Sequence, residues 1–273
     1  MIIKKSKSNR LALAALLALG AVGATWAYWT QEIRVGNEFE TAKYDTTVTE
    51  EFTPPEDWMP GDEVNKDVQV TNSGTIPIFT KAVIHQEWIR TEDVLDVDGS
   101  VIPPAKGEAF PLTFTNEDGE QEYASGITWG DVVLLASGKT SDTDLALDTV
   151  ETIEEAAGKW LMISDEPDEN GDLLFYYIGA VEPDSSTPKL VDAVTMNPKL
   201  NAAVTAMSTV YDKEEEKWVT TSTKNPAYGY ECAKYTMTVD AVTVQGTAAA
   251  VEAVFGTSGD NAAAAAYLSS LAE

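Results

Sequence analysis

The strongest constraint on the fold is a series of short alternating segments, each closed by turn residues. Residues 66–72 alternate polar and apolar side chains and stop at Ser73-Gly74. Residues 231–244 alternate in the same way over a longer run. A period of two predicts strands that bury one face. Because few long helical patterns separate these segments, the chain is predicted to be all-β, a jelly-roll-like β-sandwich with a few short helical insertions.

The N-terminus has the three-part order of a cleavable export signal. An apolar stretch over residues 11–23 follows four basic side chains, Lys4, Lys5, Lys7 and Arg10. Small residues at the first and third of positions 25–27 predict cleavage between Ala27 and Tyr28. The apolar stretch is shorter than the roughly 20 residues of a membrane-spanning helix, and an uncleaved N-terminal anchor is the alternative. The mature protein is predicted to be secreted, in the extracellular matrix or at the cell surface, without a membrane attachment after cleavage.

The chain is strongly acidic. It has 45 Asp and Glu against 18 Lys and Arg, a formal net charge of −27 at pH 7. Cleavage removes four basic residues and no acidic ones, which changes the net charge to −31. This charge argues against nucleic acid and anionic membrane as partners. It also predicts that association between copies responds to salt.

Two residue types that often carry chemistry occur once each. Cys232 is the single cysteine and His85 the single histidine, so an intrachain disulfide and a three-histidine zinc site are excluded. We expect Cys232 to be a small buried residue and His85, inside a predicted strand, to be structural. The sequence has no glycine-rich phosphate-binding motif. We therefore predict a protein that is not an enzyme, with no catalytic residue, metal or cofactor.

Two acidic turns resemble calcium loops only in composition. They span residues 93–99 and 168–172, and both contain acidic side chains next to a glycine. Neither has the ligand spacing of a calcium-binding helix–loop–helix motif. We interpret both as solvated β-turns, with a bound cation as the alternative.

The pattern of segments divides the chain into four parts: a signal peptide over 1–27, an N-terminal donor strand and joint over 28–37, a jelly-roll domain over 38–246 with an insertion at about 91–158, and an alanine-rich helical tail over 247–273. Within the domain, short helices are expected over residues 148–157 and from Asn197 to about residue 209, where capping residues begin each segment.

The segment after the predicted cleavage site is a short alternating strand. Trp29, Ile33 and Val35 share one face, and Gly36-Asn37 separates the segment from the domain. Such a strand can complete an open sheet edge of another copy, and repetition gives an open filament. Burial of its apolar side chains and its backbone hydrogen bonds roughly balance the conformational entropy that the segment loses on pairing, about 1–2 kcal/mol per residue. Stable pairing with another copy therefore needs further contacts or a covalent bond. The alternative is an ordinary first strand of its own domain.

Several segments resemble one known family. Gly-Ala-Thr-Trp-Ala-Tyr-Trp-Thr over residues 23–30 resembles the processing region of proteins cut by the SipW-type signal peptidase. Residues 39–45 are similar to the first strand of TasA, camelysin and BsaA-like proteins. The Pro-Gly-Asp and Asn-x-Gly pattern over 59–74 is similar to a later part of that family, as is the segment 174–190. The resemblance is close over residues 20–90 and loose over 160–245.

The resemblance implies a secreted structural subunit of a Gram-positive biofilm matrix fibre or pilus. Subunits of this family join by donor-strand exchange of the processed N-terminus, which assigns cleavage to Ala27 and Tyr28 and the donor strand to Trp29, Ile33 and Val35. The implied partners are other copies of the chain, a SipW-type signal peptidase, and other matrix or surface proteins. Camelysin-like members have been described as metalloproteases, but this sequence has no evident zinc ligand set.

Two other functions are compatible with the sequence. A monomeric cell-surface adhesin or carbohydrate-binding module would present exposed aromatic side chains, such as Trp129 or Trp160, in a groove. A secreted hydrolase would need a pair of acidic residues in a cleft, and the sequence does not identify such a pair.

Overall fold

The alternating segments form two facing β-sheets. The computed structural model describes residues 30–32, 44–52, 58–116, 118–140, 145–168, 171–224, 229–256 and 262–272 of the 273-residue chain. The predicted all-β sandwich is confirmed, since a large and a smaller sheet enclose one apolar core. Two short helices pack on the outer face of the large sheet.

The described strands, in chain order, are β1 (Thr30–Glu32), β2 (Thr46–Phe52), β3 (Glu63–Asn72), β4 (Ile78–Arg90), β5 (Ala109–Phe110), β6 (Thr113–Thr115), β7 (Gln121–Tyr123), β8 (Ser125–Trp129), β9 (Val132–Leu135), β10 (Asp148–Val150), β11 (Trp160–Met162), β12 (Asp172–Tyr177), β13 (Ser185–Ser186), β14 (Val191–Met196), β15 (Val204–Asp212), β16 (Lys217–Lys224) and β17 (Ala233–Gln245). The helices are α1 (Ala248–Phe255) and α2 (Ala262–Leu271), and single 3-10 turns span Ala136–Gly138 and Glu154–Ala156.

The large sheet has eight strands in the order β1-β17-β4-β12-β11-β9-β10, with β5 beside β4. Its longest pair is β4 and β17, of 13 residues each, which run antiparallel from Ala233 opposite Arg90 to Gln245 opposite Ile78. The smaller sheet has five strands in the order β13-β3-β14-β8, and β2 pairs with β3 on the side opposite β14. Two further hairpins, β6–β7 and β15–β16, form separate two-stranded sheets.

The large sheet is buried on both faces in its central strands. In β11, Trp160 and Met162 pack in the core between the two sheets, whereas Leu161 packs beneath α1 and α2. All three side chains are fully buried. A strand covered on both faces has a continuous apolar sequence rather than an alternating one, which explains the Trp-Leu-Met run.

Asn72 of the Asn-x-Gly pattern has a structural role. Its Nδ2 donates to the carbonyl oxygens of Ile76 and Val181, each at 2.8 Å, and its Oδ1 accepts from the backbone N–H of Gly74 at 2.9 Å. The residue is fully buried. Its side chain therefore satisfies three backbone groups at the turn between β3 and β4, where an unpaired buried group costs about 1–3 kcal/mol.

Gly61 explains the other end of the same segment. Its backbone has φ of +92°, which favours glycine, and its N–H donates to the carbonyl of Met196 at 2.8 Å. Asp62 Oδ2 accepts from the N–H of Met59 at 3.0 Å and closes the turn before β3. The Pro-Gly-Asp and Asn-x-Gly pattern over 59–74 thus fixes both ends of one strand of the smaller sheet.

Both helices predicted inside the domain are wrong. Residues 148–157 instead form β10, which pairs in parallel with β9, and one 3-10 turn over Glu154–Ala156. At Asn197 the side chain caps a tight turn by accepting from the N–H of Lys199, and the chain then continues as β15. Pairing with a neighbouring strand overrides the local capping signal in both segments.

The segment 91–158 is partly built into the sandwich. β8 pairs with β14 in the smaller sheet, and β9 pairs with β11 in the large sheet. The β6–β7 hairpin and several loops of this segment lie outside the two main sheets. The alanine-rich tail over 247–273 contains α1 and α2. In the part of the chain that the structure describes, every helix is too short or too polar to cross a membrane.

Candidate functional site

The outer edge of β17 is the principal candidate for an assembly site. On one side β17 pairs with β4 along its whole length. On the other side it pairs only with β1, with Thr30 opposite Val244, Gln31 opposite Thr243 and Glu32 opposite Val242. Among the described residues, the stretch 233–241 has no strand partner on that side. Within the described ranges, this side of β17 is therefore a candidate edge for pairing with a further strand.

β17 presents different faces to two cores. Tyr235, Met237 and Val239 are half-buried and pack against the core between the sheets. Val242 and Val244 pack on the opposite face with α1 and α2. Packing on both faces thus supports β17 along the side where, among the described residues, it pairs with a strand only over 242–244.

A cleft of about 770 Å³ opens beside the first half of β17. It lies between that strand and the smaller sheet, and its walls include Trp58, Val64, Met196, Tyr235 and Met237. We call this space the cleft. Residues 233–237 of β17 line the cleft, and they belong to the stretch that pairs with no strand on that side among the described residues. In the described part of the chain, an apolar groove and a candidate edge therefore coincide there.

Aromatic rings form one wall of the cleft. The ring of Trp58 stacks on Trp88 with centroids 5.6 Å apart and planes 8° apart, and Trp88 lies 5.0 Å from Tyr235. Trp88 is 1% exposed, and its Nε1 has no hydrogen-bond partner among the described atoms. Glu231 also lines the cleft, and its Oε2 atom is buried with no hydrogen-bond partner among the described atoms.

Burial keeps the two tyrosine hydroxyls of this wall neutral. Burial raises the pKa of Tyr230 to about 12, and burial also raises the pKa of Tyr235. The Tyr235 hydroxyl donates to Gln86 Oε1 at 2.8 Å, and the Tyr230 hydroxyl donates to the carbonyl of Pro111 at 2.7 Å. Both phenols are thus neutral at physiological pH. Lys66, which is 5% exposed, places a cationic side chain in the wall.

The opposite end of the space between the sheets is closed by hydroxyl groups. Tyr44 donates to Thr243 Oγ1 at 2.6 Å, and the hydroxyls of Thr46 and Thr243 lie 3.2 Å apart. Thr243 is also the residue opposite Gln31 in the β1 pairing. The N-terminal strand therefore meets β17 where the two sheets are joined, and the cleft lies where they separate.

Only the middle of the predicted donor segment lies in the described chain. Ala27, Tyr28, Trp29, Ile33 and Val35 lie outside the described residues. Thr30–Glu32 pair with β17 of their own chain, in the position of an ordinary first strand. The sequence did not indicate β17 as the partner, although its strong alternation marked it as a long strand.

The two tryptophans expected to line a groove differ from each other. Trp160 is fully buried and its Nε1 donates to the carbonyl of Pro188 at 2.9 Å, so it cannot line an open groove. Trp129 is half-buried, and its ring faces a second cavity of about 710 Å³. Its Nε1 donates to the carbonyl of Leu145 at 3.1 Å.

The single cysteine and histidine occupy different settings. Cys232 is exposed, and the prediction that it is buried is wrong. It lies in the turn before β17, with φ of +53°. The direction of its side chain is therefore set by the turn and not by the alternation of the strand. His85 lies in β4, and its Nδ1 is 2.7 Å from Asp172 Oδ1. Across the described chain, no serine or cysteine is recorded in a hydrogen bond with His85.

In the acidic turns, aspartate carboxylates accept hydrogen bonds from backbone N–H groups. Asp93 Oδ1 accepts from the N–H of Lys106, Asp98 Oδ1 from that of Ser100, and Asp168 Oδ1 from that of Asp172, at 2.7–3.0 Å. In the described ranges, no group of three or more histidine, cysteine or acidic side chains is placed to hold a metal ion.

Comparison with known proteins adds no relative to this picture. No protein-family model matches the chain, and a search of curated proteins finds no match.

Proposed function

We propose that this chain is a secreted structural subunit of an extracellular biofilm matrix fibre or pilus, without enzymatic activity, that polymerises head-to-tail by donor-strand exchange. The observation that carries the proposal is the antiparallel pairing of Thr30–Glu32 with β17 at the edge of the large sheet. This contact involves three residues at an outer edge, and the same segment of a neighbouring copy can replace it. Replacement along a row of copies gives an open filament.

An incoming strand that takes the register of Thr30–Glu32 would have a defined position on β17. Extending it residue by residue places an incoming Ile33 opposite Ala241 and an incoming Val35 opposite Val239. Directly opposite residues of an antiparallel pair share one face. Since Val239 and Ala241 pack against the core between the sheets, two of the three apolar anchors of the incoming strand, Ile33 and Val35, would enter that core.

The length and charge of the segment also fit an exchange. In this register, residues 28–36 of a neighbour would span residues 246 to 238 of β17 and its end. The segment contains one acid, Glu32, and one base, Arg34. Its contact is therefore not opposed by its own charge, although copies of net charge −31 repel one another at a distance.

Export and processing follow from the same proposal. A SipW-type signal peptidase would cut between Ala27 and Tyr28, and the cut would give the segment a free end. Other copies, and other matrix or surface proteins, would then be its partners. Cleavage would thus both release the protein from the export pathway and allow it to polymerise.

The test compares purified precursor with protein that begins at Tyr28, by negative-stain electron microscopy over a range of protein and salt concentrations. We expect filaments from the protein that begins at Tyr28 and none from the precursor. Filaments from both proteins, or from neither, would contradict the proposed coupling of processing to assembly.

A second candidate, a monomeric adhesin or carbohydrate-binding module, is favoured by the cavity beside Trp129. Polar side chains share that cavity with the indole, among them Gln86, Gln121 and Asn197. Aromatic and amide groups together suit a sugar ligand. Glycan binding by a processed protein that stays monomeric would support this function over the fibre.

A further inference from the structure

The hairpin β15–β16 is separate from the two main sheets. Its strands pair with each other and, among the described residues, with no other strand. Ala202, which lines the cleft, lies just before β15, and Tyr230 of the cleft wall follows the segment after β16. The hairpin thus extends from the rim of the cleft. One anchor near its base is the hydroxyl of Ser222, which donates to Asp96 Oδ1 at 2.6 Å.

One face of this hairpin exposes large apolar side chains. Met207 is 69% exposed, Tyr211 is 42% exposed and Trp218 is 70% exposed. Tyr211 lies directly opposite Trp218, with ring centroids 5.3 Å apart, and Met207 lies on the same side of the strand as Tyr211. We call these three side chains the hairpin face.

The size of the hairpin face indicates a contact of limited strength. With about 150–250 Å² for each large aromatic side chain, the exposed area amounts to roughly 300–400 Å². This is within the range of the largest apolar patch on a typical monomer, which is often functional. It is less than the about 800 Å² that each partner contributes to a stable complex. The hairpin face therefore suits a contact that assists another interface.

The charge pattern identifies the occupant. Residues 204–211 and 218–223 contain no charged side chain, whereas the chain as a whole has a net charge of −27. Two copies of such an acidic protein repel wherever their charged surfaces meet, and they approach at lowest electrostatic cost through an uncharged patch. The hairpin has charged residues in its turn, at 212–217, outside the hairpin face.

We propose that the hairpin face packs against a neighbouring copy of this chain and supplies the additional contact that a short exchanged strand requires. This inference rests on the proposed fibre, in which the edge of β17 lies at the junction between copies and the donated segment ends opposite residue 238, next to the cleft. The apolar hairpin face then lies next to the incoming subunit, and its burial adds to the strand contact.

The test uses the double variant Tyr211→Ser/Trp218→Ser, with Leu271→Ser as the matched control, since Leu271 is a 45% exposed apolar side chain at the end of α2. Circular dichroism and thermal unfolding should show native folding in both. We expect the double variant to raise the critical concentration for filament formation at least tenfold, and the control to leave it within about twofold of wild type.

A second measurement separates this inference from the fibre proposal. Sedimentation of protein that lacks residues 28–36 should show weak self-association that the double variant removes. Normal filament formation by the double variant, or the absence of any association in the truncated protein, would overturn the inference and leave strand exchange untouched. Loss of glycan binding in the double variant, with assembly unchanged, would assign the hairpin face to a sugar and would also overturn it.

Discussion

Deletion of residues 28–36 is expected to abolish filament formation and to leave a folded domain. The deletion removes the donated strand, whereas the two main cores contain residues from other strands and from the helices. In its own chain the described part of the segment pairs with the end of β17, over Val242 to Val244. The measurement is electron microscopy for filaments, with circular dichroism and urea unfolding for the fold. Filaments of normal length from the deleted protein would contradict donor-strand assembly.

A matched pair of substitutions sharpens this prediction. The triple variant Trp29→Ser/Ile33→Ser/Val35→Ser removes the three apolar anchors and keeps the length of the segment. We expect it to lose assembly as the deletion does, because each buried apolar side chain contributes about 1.5–3 kcal/mol. The control is Thr30→Ser, which retains a hydroxyl on the alternate face and should assemble as wild type does.

Replacement of Trp160 with alanine is expected to destabilise the domain by about 3–5 kcal/mol, the usual cost of truncating a buried tryptophan. The side chain is fully buried in β11, its ring lies 5.8 Å from that of Tyr177, and its Nε1 donates to the carbonyl of Pro188. Truncation leaves a cavity and an unpaired carbonyl. Because domains are stable by only about 5–15 kcal/mol, this loss is a large part of the free energy of unfolding. The measurement is the free energy of unfolding in urea.

Trp218→Ala is the control for this substitution. Trp218 is 70% exposed on the hairpin face, so its truncation should change the free energy of unfolding of the monomer by less than about 0.5 kcal/mol. The two tryptophans are thus expected to separate folding from assembly. If Trp160→Ala lowered the free energy of unfolding no more than Trp218→Ala does, Trp160 would not occupy the centre of the core.

The strands with clear alternation were predictable from the sequence. The core of β3 and most of β17 fall where a period of two was found, because each strand buries one face more than the other. The segment 204–224 was missed as a hairpin, since Asn197-Pro198 carries a helix-start signal. A usable signal was present, namely two runs rich in β-branched residues on either side of the charged turn at 212–217.

The cleft could not be predicted, because its walls are distant in the sequence. Trp58 precedes β3, Trp88 is near the end of β4, and Tyr235 is near the start of β17. Their stacking depends on how the two sheets are placed, and no local pattern encodes that placement. The edge of β17 was hidden for the same reason, since a strand's neighbours are decided by the topology of the whole sheet.

The most direct measurement of strand exchange is a disulfide between copies. Glu32 lies opposite Val242 in the pairing of β1 with β17. One protein would carry Glu32→Cys and the other Val242→Cys, both starting at Tyr28 and both with Cys232→Ser, so that neither can form an internal disulfide. Mixed under oxidising conditions, they should give a covalent dimer of the two different proteins if one copy's strand pairs with the other's β17. The contradicting result is no such dimer from the mixture, while a single chain with both cysteines forms its disulfide only internally.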